Sequence, residues 1–126
     1  MAAALPWHES HAAARSALPS TKTPLLGHVG VETYSVLTRL PPPHRVPAQV
    51  AWEYLRQTFA LPPLVLAADG YVRLLEVAAS GRLAGGGVYD ALVAATAREA
   101  GATLLTLDRR AVSTYQLLGA EYRLVA

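Results

Sequence analysis

The sequence has no cysteine. That excludes a disulfide framework and any zinc site with thiolate ligands, and it suits the cytoplasm. Charge is also scarce, at 16% of residues, and Lys22 is the only lysine. The longest apolar runs, such as LPPLVLAA at 61–68, fall well short of the ~20 residues needed to span a bilayer. The N-terminus, MAAALPWHES, has no basic n-region, and His8 and Glu9 interrupt any apolar stretch, so no signal peptide is read. There is no GxGxxG and no P-loop, because the GGG at 85–87 is not followed by Lys-Ser/Thr. His8, His11, His28 and His44 show no zinc spacing with other ligands, and no serine sits in a nucleophile elbow.

What is present is apolar. Hydrophobic residues make up 52% of 126 residues, which argues for a folded chain and, at this length, for one domain over 1–126. The net charge of +2 is a mild bias that still permits transient contact with a phosphate backbone.

Apolar periodicity and turn residues predict alternating elements. A helix is expected over 2–18, a short strand over LLGHV (25–29), and a helix over 31–40 that the triple proline 41–43 ends. Pro47 opens a helix to residue 61, LVLA (64–67) reads as a strand, and Asp69 reads as the cap of a helix ending near Gly81. GGG leads into a helix over 88–100 closed by Gly101, followed by a strand at 102–107, a helix from Arg109 to Gly119, and a last strand at YRLV. Strands alternating with helices imply an α/β fold, a three-layer α/β/α sandwich around a parallel sheet.

That architecture sorts the nine acids. In parallel α/β sheets, ligands bind beyond the carboxyl ends of the strands. Glu32 follows strand 25–29 in a helix's first turn, Asp108 directly follows strand 102–107, and Asp90 lies in the first turn of the helix feeding that strand. With right-handed crossovers all three fall on one rim. Asp90 shares a helix face with Val93, Ala94 and Ala97, a costly place for a carboxylate without compensation. Converging carboxylates with no lysine partner suit Mg²⁺ or Mn²⁺, which take hard oxygen ligands. Each acid alone has another reading: Glu32 and Asp90 as partners of a helix dipole, Asp108 as an N-cap. The remaining glutamates read as solvated faces, Arg109–Arg110 as a solvated pair, a contact for RNA phosphate or a partner of Asp108, and the helix carrying Trp52 and Phe59 as core or partner interface.

Three segments, VETYSVL around Glu32, GGGVYDALVAATA around Asp90 and GATLLTLDRRAVSTY around Asp108, resemble the PIN-domain ribonucleases, in particular the VapC-type toxins of toxin–antitoxin pairs. The resemblance covers nearly the whole chain. It implies a metal-dependent endoribonuclease that hydrolyses RNA phosphodiester bonds with Mg²⁺ or Mn²⁺ held by Glu32, Asp90 and Asp108. It also implies a homodimer and a cognate antitoxin docking on the helices around Tyr34–Leu37 and Trp52–Phe59. The family opens with a central strand ending in Asp, whereas this chain opens on what resembles the far end of the next helix. The expectation is therefore an N-terminally truncated PIN-like domain without that strand and its Asp, and with impaired activity. The alternative is a non-catalytic module that binds an antitoxin or self-associates.

Overall fold

The computed structural model describes residues 22–125, so the helix expected over 2–18, with His8 and His11, lies outside the described residues. The chain divides into two compact units, Met1–Pro63 and Leu64–Ala126.

In the first unit, β1 spans Thr23–Leu26 and α1 follows without a linker, Gly27–Arg39. The expected strand 25–29 is thus two residues early, and its second half is helix. Gly30 permits the tight entry: a Cβ there would sit 2.8 Å from Cδ2 of Leu25. Gly30, Thr33 and Leu37 form the buried stripe of α1. Leu40, preceding Pro41, is already extended, which stops the helix as expected. The connection folds back, with the Val46 N–H donating to the Leu37 carbonyl at 3.0 Å. α2, Ala48–Thr58, follows Pro47 and packs against α1 through Ala51 and Leu55. Leu37 and Ala51 form a core closed by Leu40, Val46 and Tyr54. Trp52 is 43% exposed, so it belongs to the surface rather than to this core.

Helix α2 stops three residues before the expected end, and the next strand is Phe59–Leu64 (β2) rather than 64–67. The physical reason is local. Pro62 and Pro63 pull the residues before them out of helical geometry, and Phe59 is extended at φ −116°, ψ 154°. β2 pairs with β1.

In the second unit, α3 spans Ala68–Ser80. Asp69 does not cap it: the capping position is Ala67, and Asp69 lies within the first turn, paired to Arg73 at 3.0 Å. Gly70, Leu74 and Ala78 face inward at four-residue spacing. α4 spans Gly87–Glu99, and its Ala91, Ala94 and Ala97 are almost fully buried. These small side chains let both α3 and α5 approach closely. Glu99, expected on a solvated face, accepts from Arg73 of α3 at 2.6 Å. Gly101, at φ +66°, ends α4 where a side chain would be strained.

β3, Leu104–Thr106, runs parallel to β4, Tyr122–Leu124, with Leu104 opposite Tyr122 and Thr106 opposite Leu124. Between them the expected single helix is split into a 3₁₀ turn, Arg109–Ala111, and α5, Val112–Leu117, which packs on α4. The parallel pairing beside helices is the α/β architecture read from the sequence. No helix among the described residues is long and apolar enough to cross a membrane.

Candidate active site

β3 ends at Thr106, and the chain then turns sharply enough that Thr106 Oγ1 accepts the Asp108 N–H at 3.0 Å. Asp108 in turn caps the 3₁₀ turn, its Oδ1 accepting the Arg110 N–H at 2.9 Å. The N-cap reading of this acid is therefore correct as far as it goes. Capping engages one carboxylate oxygen, and the side chain remains 53% exposed. The Arg110 guanidinium stands 3.8 Å from that same oxygen and is 97% exposed, a loose pairing rather than a lock.

Asp90 occupies the first turn of α4, as expected, and is half-buried next to the buried Ala91 and Ala94. The side chain that relates it to Asp108 is Tyr115 of α5. This phenol is 6% exposed, and its ring lies 6.2 Å from that of Tyr122. Burial pushes the Tyr115 hydroxyl above the usual tyrosine range, a hydrogen bond with Thr106 opposes this, and the negative charges of Asp90 and Asp108 raise it further. Both carboxylates thus act on one buried hydroxyl at the carboxyl end of the parallel strand pair. Neither Thr106 nor Tyr115 was singled out by its residue type. The available signal was the Thr-x-Asp spacing, which suits a hydroxyl bonded to the backbone two residues on.

Glu32 belongs to the first unit. Because α1 starts at Gly27, it lies in the second helical turn and not the first, and its carboxylate pairs with His28 at 3.1 Å. Among the described residues, no group of three His, Cys, Asp or Glu side chains is arranged to hold a metal ion. In donor chemistry Asp90 and Asp108 would each suit a hydrated divalent cation. Both are hard oxygen ligands, and Mg²⁺ keeps several waters when one or two carboxylates hold it.

The chain belongs to the PIN domain family, whose model matches residues 2–117. It is similar to Ribonuclease VapC40 of Mycobacterium tuberculosis, with 49% identity over 119 residues, covering 94% of this chain and 88% of that protein. It is also 43% identical over 112 residues to Ribonuclease VapC27 of the same organism, covering 89% of this chain and 81% of that protein. The family resemblance carried by the three acid-bearing segments is borne out.

Proposed function

We infer that this protein is a VapC-type ribonuclease that hydrolyses RNA phosphodiester bonds, the toxin of a toxin–antitoxin pair. The observation that carries this reading is the family match over residues 2–117, together with Asp108 following the parallel strand β3 at the edge where such folds bind ligands. The ribonuclease relatives named above support it. Asp90 and Asp108 would be ligands of Mg²⁺ or Mn²⁺. When bound, such an ion supplies a hydroxide at neutral pH and stabilises charge on a phosphoryl oxygen.

The chain's own part is to hold the carboxylates in place and to receive the RNA. Asp108 is fixed through its cap and its backbone hydrogen bond, and Asp90 through the packed helix α4. Arg109 and Arg110 are exposed immediately beside Asp108, where they would meet the substrate's phosphates. In the first unit, Val31, Tyr34, Val50 and Trp52 are exposed apolar side chains on the packed pair α1 and α2, and an antitoxin segment would cover them. Leu37, expected on that surface, is only 2% exposed and serves the core. We also propose one domain across both units, which the continuous family match supports, a cytoplasmic location and a homodimer.

The test is RNA cleavage by purified protein. Cleavage is expected in Mg²⁺ or Mn²⁺ and not in chelator. Asp90→Asn should lower it at least ~100-fold, the equivalent of the several kcal/mol that metal-assisted charge stabilisation supplies. Undiminished cleavage in chelator overturns the reading. Antitoxin binding without metal binding or cleavage replaces it with the non-catalytic module.

A further inference from the structure

We propose that Tyr89 is a stacking platform for a base of single-stranded RNA. The proposal rests on the ribonuclease reading above and adds a substrate contact to it. Tyr89 lies one residue before Asp90 in the first turn of α4, and it is 60% exposed. The middle of that helix is taken up by packing: every residue from Ala91 to Ala97 is buried or half-buried. An aromatic ring carries a large apolar surface that folding normally hides. This ring stands outside, at the end of the helix where the acid is.

The turn before it is open. Helical side chains lean towards the preceding turn, where their neighbours are the residues three and four back. For Tyr89 these are Gly86 and Gly85. Both are tied into the helix start, the Tyr89 N–H donating to the Gly86 carbonyl at 3.1 Å and the Val88 N–H to the Gly85 carbonyl at 3.2 Å. A Cβ added at either glycine would meet no atom within 4 Å, so the space over that turn is empty. The ring is thus mounted on a hydrogen-bonded support with room beside it for a planar group.

A nucleobase is the planar group that an RNA substrate brings. Every base has a π-face, and stacking on aromatic side chains holds single strands without reading their sequence. In a duplex the bases are already stacked on one another, so this contact favours an unpaired strand. A base held one residue from Asp90 would fix the strand beside the acid proposed to act on it.

The experiment measures affinity for a labelled single-stranded RNA oligonucleotide by fluorescence anisotropy in chelator, and kcat/KM for its cleavage in Mg²⁺. Wild type is compared with Y89A, Y89L, Y89F and Y89W, and thermal unfolding checks each fold. Y89A and Y89L should lower both quantities about 10-fold, the loss of one base stack, while Y89F and Y89W should stay within about 2-fold of wild type. The same RNA annealed to its complement should be bound alike by all five proteins. The slope of affinity against salt concentration should not change, because stacking releases no counter-ions. Wild-type values in Y89A and Y89L, Y89F as weak as Y89A, an equal loss on duplex or a shallower salt slope would each overturn this inference and leave the ribonuclease reading standing. A changed oligomeric state in Y89A would do the same, by placing the ring in a protein interface. Wild-type protein that neither binds nor cleaves the RNA would overturn both. If Y89A does not fold, Y89L and Y89F decide by the same criteria.

Discussion

Asp108 is asked to do two things, and substitution can separate them. Its Oδ1 caps the 3₁₀ turn through the Arg110 N–H at 2.9 Å, while the carboxylate's charge serves the proposed cation. Asparagine retains a carbonyl oxygen in the same place and is as good a cap as aspartate, whereas alanine offers none. Asp108→Ala should therefore cost about 1 kcal/mol of stability. For a chain of this size that is a fall of roughly 4 °C in Tm. Asp108→Asn should stay within about 0.5 kcal/mol of wild type, the range of surface substitutions that break no special feature. The lost pairing with Arg110 contributes little, since the pair is 3.8 Å apart and the guanidinium is 97% exposed. Metal binding and RNA cleavage, by contrast, should fall alike in both variants. Thermal unfolding in chelator reads the first effect, and calorimetry with Mn²⁺ reads the second. If Asp108→Asn melts as low as Asp108→Ala, the side chain is not acting as a cap. If Asp108→Asn binds Mn²⁺ like wild type, the charge at 108 is not a ligand.

Other outcomes follow from packing and charge. Leu37→Ala empties the centre of the α1–α2 core and should destabilise by about 2–4 kcal/mol in denaturant unfolding; a change under about 1 kcal/mol would mean the cluster around Ala51 collapses to fill it. Gly101→Ala meets no atom within 4 Å but must hold φ +66°, so its loss of about 1 kcal/mol would be purely conformational and should leave metal affinity untouched. The hydrogen bond and charge of Arg73 hold the Asp69 carboxyl below the usual carboxylate range, so this pair stabilises the fold at neutral pH and ceases to do so as pH falls through that depressed value. The stability difference between wild type and Arg73→Met should accordingly be present at pH 6 and vanish in strong acid; a difference that grows on acidification would refute the assignment.

The second unit was largely legible because its punctuation is unambiguous. GGG before an alanine-rich helix, Gly101 after it and Gly119 after α5 bracket the elements within a residue or two of where they form. The first unit was harder for a physical reason. LLGHV is a short apolar run that suits a strand or a helix equally, and α1 took its second half, moving Glu32 back by a turn. FALPPL hides a strand because proline lacks the donor a ladder uses, so its two prolines argue against the very segment that pairs with β1. Thr106 and Tyr115 could not be found from residue type at all. Their meeting depends on how β3 lies along β4 and on where α5 returns.

The same dependence explains why Asp90 can be tolerated where it is. A half-buried carboxylate at the start of an apolar helix needs hydrogen bonds or charge to compensate it, and a helix held elsewhere along its length bears any remaining cost without fraying. α4 is fixed along its length: Ala91, Ala94 and Ala97 are buried, α3 and α5 both pack on it, and Arg73 ties its last residue, Glu99, to α3. The far end and the middle supply the stability, and the first turn is released to hold a charge that packing alone would not select. Asp108 follows the opposite logic, being exposed and secured by hydrogen bonds to its own turn. One acid is thus held by a rigid helix and the other by a rigid turn, so that disturbing either support should weaken metal binding before it unfolds the domain.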